Sequence, residues 1–216
     1  MLLQDTYDSF VRSGAALPEE KRGRFKEVKA ELAQLSLQFS QNNIKETNDF
    51  VLHLTQREDL AGLPDSQIEQ AAAAAAERQL EGWVFTLHAP SFGPFMQYAE
   101  NRALRERMYR AYMTRCAHDN ARNNFEICKK LVNLRMEMAQ LLGFPCYADY
   151  VLKKRMAQTP ERVYNLLEEL KTHYLAPARR EVEAVEQLAK AKEGADFVLM
   201  PWDFAHYAHL LKLRDY

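Results

Sequence analysis

Glycine is scarce in this chain, with seven residues in 216. None falls into G-x-G-x-x-G, G-x-x-x-x-G-K or G-x-S-x-G. Such turns cradle phosphates or hold a nucleophile on a strained bend, so those chemistries lack their usual scaffold. Cysteine is rarer still. Cys116, Cys128 and Cys146 are odd in number and form no C-x-x-C pair. That pattern points to free thiols in a reducing compartment, hence a cytoplasmic protein, with each thiol acting as a small apolar side chain. Excess charge is missing too: 29 basic against 30 acidic side chains leave a formal -1. A balanced chain offers no electrostatic argument for a nucleic-acid partner or an anionic membrane. No apolar run approaches the roughly 20 residues that span a bilayer. The opening "MLLQDTYDSF" also lacks a basic start followed by an apolar stretch, so it does not read as a signal peptide.

What is present is helical period. Val28, Leu32, Leu35 and Phe39 recur at steps of four, three and four, with Lys, Glu and Gln opposite. Pro18, Glu19 and Glu20 supply a good helix start, because proline tolerates the first turn and acids suit the positive helix end. Leu104, Met108 and Tyr112 make a second stripe, and Ile127, Leu131, Leu134, Met138 and Leu141 a third, which Gly143 and Pro145 end. "YADYVLKKRM" starts a short helix. Thr159 caps the next one, with Pro160 in its first turn and Val163, Leu166, Leu167, Leu170 and Tyr174 on its apolar face. Pro177 is predicted to kink or interrupt it. "EGADFVLMPWD" reads as a loop, and a last helix runs through His206.

The period changes twice. Residues 50–55, "FVLHLT", and 83–88, "WVFTLH", alternate with aromatic and β-branched content. They predict two short strands, paired, with an alanine-rich helix between them that Asp65 or Ser66 can cap. The fold class expected is therefore mainly α: a multi-helix array with one short two-stranded β pair, forming a single helical region over 1–216. No repeat of 20–50 residues suggests a solenoid. The chain starts and stops inside helical pattern. That predicts a segment of a longer protein, with apolar faces that would drive self-association.

Candidate chemistry is thin. His206 and His209 stand three apart on the last helix and Asp203 three before, so D-x-x-H-x-x-H is a conceivable metal grip. A zinc site needs a third and usually a fourth ligand, and a base if it is to catalyse, so the pair reads as ordinary helix residues. His118 with Asp119 reads as a turn between helices. Tyr109 with Tyr112, and Tyr147 with Tyr150, read as partly buried packing rather than a peptide platform. Arg102, Arg105, Arg107 and Arg110, interleaved with Glu106, read as a solvated basic face. Cys116 and Cys128 have no base beside them in the sequence. No residue is assigned a catalytic, cofactor or metal role.

Three ordered stretches carry a resemblance. They are "ELAQLSLQFSQNNIKETNDFVLHLTQREDLAGLP", then "WVFTLHAPSFGPFMQYAENRALRERMYRAY" followed by "NLRMEMAQLLGFPCYADYVLKKRMAQTPERVYNLLEEL", and finally "PWDFAHYAHLLKLRDY". Together they cover most of the chain. They resemble the thimet oligopeptidase, oligopeptidase A and peptidyl-dipeptidase family of zinc metallopeptidases, bacterial peptidyl-dipeptidases foremost and oligopeptidase A next. The resemblance implies part of a larger two-lobed helical fold in which short peptides are hydrolysed inside a deep channel. It also implies zinc in the full-length enzyme, held by an H-E-x-x-H helix and a further glutamate. This sequence contains no H-E-x-x-H among its six histidines. Hence the expectation is a non-catalytic helical portion, inactive alone and holding no zinc. The alternative is a stand-alone helical module that binds a protein or peptide without catalysis. The two differ in whether a metal motif follows Tyr216 in the gene.

Overall fold

The structure, a computed structural model, describes residues 2–215; Met1 and Tyr216, the ends of the expected helical region, lie outside the described residues. The order of elements is α1 (Leu2–Arg12), α2 (Glu19–Asp49), β1 (Leu52–Leu54), a 3-10 turn (Arg57–Leu60), α3 (Asp65–Ala76), β2 (Trp83–Phe85), α4 (Ala89–Tyr98), α5 (Arg102–Met113), α6 (Phe125–Leu141), α7 (Tyr147–Leu152), α8 (Pro160–Glu193) and α9 (Phe204–Asp215). The protein is mainly α, with one small sheet among the described residues, as its periodicity predicts. Two compact units emerge. The chain up to Asn42 and Asp119–His173 make the first, and Asn43–His118 with the chain from Tyr174 onward make the second. Helices α2 and α8 contribute to both.

In the first unit the α2 stripe meets the α6 stripe. Phe25, Val28 and Leu35 share a core with Ile127, Leu131, Leu134 and Met138, closed by Leu17. Burying side chains of this size stabilises by about 1.5–3 kcal/mol each before entropy is counted. Inside this core's rim Asn42 donates to Asn124 at 2.9 Å, and Asn124 donates to the Phe39 carbonyl at 3.2 Å. Helix α6 ends as its sequence predicts. Gly143 takes a φ of +83°, Phe144 N–H reaches Ala139 O at 2.9 Å and Gly143 N–H reaches Gln140 O at 3.0 Å. This satisfies the last carbonyls of the helix. Thr159 caps α8 by accepting from Arg162 N–H at 3.3 Å.

In the second unit β1 and β2 pair antiparallel, with Leu52 opposite Phe85, His53 opposite Val84 and Leu54 opposite Trp83. The strands are shorter than the alternation suggests. Leu52 and Leu54 are buried while His53 is exposed, but β2 and its extension are buried from Val84 to Leu87 on both faces. Their core includes Leu60, Ala71, Phe95, Met108 and Trp202. Gly82 enters β2 with a φ of +88°, and a Cβ there would stand 2.3 Å from Leu54 O. Only glycine accepts both conditions.

Three local expectations are corrected. Helix α3 is preceded by Pro64, in extended conformation, with no side-chain cap bond; Gln67 and Ile68 N–H take its carbonyl instead. Asp65 thus lies inside the first turn, where its charge favours the positive helix end. Helix α8 runs through Pro177 without interruption. A proline removes one backbone donor at a cost of about 3 kcal/mol, and the remaining ladder with buried Val185, Leu188 and Ala189 outweighs it. The predicted apolar face of α8 is largely uncovered: Leu166 is 56% exposed, Leu170 42% and Tyr174 65%. Periodicity marks which face seeks burial, but burial needs an opposing surface, and none among the described residues packs over these three.

Candidate functional site

The most constrained polar cluster lies in the second unit, where the loop before α9 meets α5. Asp203 is fully buried and Arg105 is 1% exposed. Arg105 Nη2 donates to Asp203 Oδ1 at 3.0 Å, and Arg102 Nη2 donates to Asp203 Oδ2 at 2.7 Å. Arg102 Nε is 3.1 Å from both carboxylate oxygens, and Met200 N–H donates to Oδ2 at 3.0 Å. Arg105 spends its other donors on the carbonyls of Ala99 (2.8 Å), Glu100 (3.0 Å) and Trp202 (3.3 Å). Arg102 also reaches Val198 O at 2.9 Å and lies 4.4 Å over the Phe197 ring. A buried charge needs this degree of saturation, since an unpaired one costs several kcal/mol. Burial alone pushes the Asp203 carboxyl up; the bonds from Arg102, Met200 N–H and Arg105 outweigh it and hold the group below its ordinary 3.8.

The expectation of a solvated basic face is therefore wrong for Arg105 and incomplete for Arg102. Arg110 remains outside, paired with Glu106 at 2.7 Å and lying 4.8 Å over the Trp202 ring. A signal was present: Arg105, Met108 and Tyr112 recur at steps of three and four, which sets Arg105 on the apolar stripe. Its acidic partner lies 98 residues away and carries no mark in the sequence.

The two histidines sit nearby. His206 is buried, and its Nδ1 is 3.2 Å from Gln97 O. Desolvation first, then the Arg105 charge, depress its pKa below 6.5, against the opposing Gln97 carbonyl. His209 Nδ1 is 3.1 Å from Gln97 Nε2, and its ring meets Tyr98 edge-on at 4.8 Å. Gln97 thus ties both imidazoles to α4. Tyr207 donates to Glu193 at 2.9 Å; burial and that carboxylate push its pKa up to about 12.

These residues do not fit a zinc ion. Both Asp203 oxygens are engaged by guanidinium and backbone donors, one nitrogen of each histidine is directed at Gln97, and among the described residues no cluster of three His, Cys, Asp or Glu side chains is poised for a metal. The arrangement fixes the 194–203 loop and the start of α9 onto α4 and α5. It positions backbone rather than presenting a reactive group.

The remaining candidates fall as follows. His118 and Asp119 occupy the α5–α6 loop, with His118 Nε2 3.5 Å from Glu46 Oε1. Tyr112 stacks on Phe92 at 4.1 Å, and Tyr109 meets Trp202 at 6.2 Å. Tyr147 and Tyr150 lie 6.0 Å apart, with Arg12 4.3 Å over Tyr150. All four tyrosines are partly buried. Cys116 is buried, Cys128 exposed, and Cys146 Sγ donates to Asp149 at 3.0 Å. Gln97 and the Tyr207–Glu193 pair carry no mark in the sequence, because their roles depend on partners distant in the chain.

Comparison with known proteins places this geometry. The chain is 39% identical over 216 residues to oligopeptidase A of Escherichia coli, covering 95% of this chain and 32% of that protein. It is 36% identical to "Probable cytosolic oligopeptidase A" of Arabidopsis thaliana, covering 95% of the chain and 30% of that protein. With dipeptidyl carboxypeptidase of Escherichia coli it shares 30% identity, over 100% of the chain and 32% of that protein. Of the two bacterial enzymes, oligopeptidase A shares more residues, the reverse of the order the motifs suggest. The chain spans about a third of the length of these relatives. The sequence model of peptidase family M3 matches residues 95–216, a stretch that holds α5, the Asp203 cluster and α9. The chain belongs to peptidase family M3.

Proposed function

We propose that this polypeptide is a non-catalytic helical portion of a zinc-dependent peptidase that hydrolyses short peptides in a deep channel, and that it is inactive by itself. One observation carries the reading. The family match runs through α5 and α9, yet the acid and imidazoles gathered there are spent on internal hydrogen bonds. No H-E-x-x-H occurs in the sequence. The zinc ligands and the water-activating base are then supplied by polypeptide other than these residues. Three cysteines outside any disulfide and a relative described as probably cytosolic support a cytoplasmic setting. Among the described residues no helix is long and apolar enough to cross a membrane.

The test compares two proteins against internally quenched short peptides, with and without added zinc. The chain of 216 residues should cleave nothing. A version extended along its gene through a metal motif should cleave in a zinc-dependent way. Hydrolysis by the short chain overturns its inactivity, and an inert extended chain overturns the peptidase reading.

The exposed apolar positions of α8, with Leu37 and Ile44 on α2 and Phe125 and Val132 on α6, support a second element of the proposal. Without a covering surface, copies of the chain self-associate through them.

A further inference from the structure

Within the second unit a cleft of about 300 Å³ opens between the end of α2, the start of α4 and the end of α5. Its rim is Asn43, Thr47, Asn48, His88, Tyr112 and Arg115, and Ile44, Leu87 and Ala89 give it an apolar wall. The Arg115 guanidinium is held on three sides. Its plane lies 3.9 Å over the Tyr112 ring, Nε donates to Tyr112 O at 2.9 Å and Nη1 donates to Thr47 Oγ1 at 2.9 Å. These bonds use two of the five guanidinium donors. Among the described residues no carboxylate takes the others, in contrast to Arg105, which meets Asp203. The acid of the same stretch, Glu46, is directed instead at Cys116 N–H and His118 Nε2.

Asn43, Asn48 and His88 are exposed, and among the described residues their side chains make no hydrogen bond within the chain. Helix α4, ten residues long, opens at His88 without a side-chain cap, so its positive end adds to the charge of Arg115. The lining thus combines a rigid cation with spare donors, free amides and a small apolar wall. A planar anion beside a short aliphatic group fits that chemistry.

The geometry points to a binding site for the free α-carboxylate of a short peptide, with the carboxylate on Arg115 and Asn48 and the last side chain against Ile44, Leu87 and Ala89. That the ligand is a peptide rests on the peptidase reading; that it bears a carboxylate rests on the cleft alone. No bond is made or broken here, and the site holds a peptide end.

The test is a nitrogen-15 NMR titration of the 216-residue chain with three probes: trialanine, its C-terminal amide, and an amidated peptide carrying an internal aspartate. Trialanine should shift resonances of 43–48, 87–89 and Arg115. Amidation should weaken binding about tenfold or more, as loss of a charge-assisted bond does. The aspartate peptide should bind no better than the amide. Arg115→Met should abolish the difference between acid and amide. Asn48→Ala, on an exposed helix surface, should weaken the acid about fivefold with the fold unchanged by circular dichroism. Equal affinity for acid and amide, absence of binding by all three, or full binding by the aspartate peptide each overturns the site. None of these outcomes touches cleavage by an extended chain, so the two readings fail separately.

Discussion

Arg105 and Asp203 stand 3.0 Å apart, both sealed from solvent, although 98 residues separate them. A carboxylate in that position is tolerable only because Arg102 and Met200 N–H complete its coordination. Removing one partner leaves a buried charge without compensation. Asp203→Asn is expected to lower unfolding free energy by about 3–5 kcal/mol in urea titration. Arg105→Met should cost less, because Arg102 still neutralises Asp203. Equal losses would show that Arg102 contributes nothing.

Acid should weaken the protein in two stages. His206 holds its proton less firmly when folded than its ordinary 6.5, so its contribution is complete above that pH. As pH falls below 6.5 the unfolded chain takes up a proton that the folded chain refuses, and stability is lost. The loss continues down through the folded pKa. Asp203 adds a second loss below 3.8, because its carboxyl is also depressed in the fold. Thermal melts between pH 7 and pH 5, roughly spanning the imidazole range, should fall for the native protein and stay flatter for His206→Gln.

Alkali acts through Tyr207. Its folded pKa of about 12 exceeds the ordinary 10.0, so the folded state keeps a proton that the unfolded state surrenders. Stability therefore declines as pH rises from 10 toward 12, and Tyr207→Phe should decline less. Denaturation midpoints at pH 9 and about 11 measure this directly.

Gly82→Ala should be among the most damaging surface-neighbouring changes. The new Cβ would meet Leu54 O at 2.3 Å while the backbone holds a φ of +88°. We expect a loss of about 2 kcal/mol or more, read as a shift in the urea midpoint at constant slope. Gly93→Ala, where nothing stands within 4 Å, is the control and should gain slightly from helix propensity.

The uncovered face of α8 should make the chain's apparent mass rise with concentration in light scattering. Leu166→Glu with Leu170→Glu should suppress that rise, since both side chains are more than two-fifths exposed and their fold makes little use of them. A concentration-independent monomer in the native chain would remove self-association from the proposal.

The sequence by itself determined the class of the fold, because period is a local property. Val28 and Leu35 on α2, and Ile127, Leu131 and Leu134 on α6, announce their faces from spacing alone, and Gly143 announces the end of α6. The alternation at 50–55 and 83–88 likewise marked a strand pair, which the fold shortens to 52–54 and 83–85. The family was legible too, through ordered stretches that cover most of the chain. Only the tertiary structure decided what the polar residues do. Arg105 reads as a surface cation until Asp203 is brought to it, and Asp203 shows no partner in the sequence until two guanidiniums claim its oxygens. The α8 face reads as core until no surface among the described residues meets it. A side chain's hydrophobicity belongs to the residue, whereas the pairing of a charge and the covering of a face belong to partners the chain supplies from far away, or does not supply.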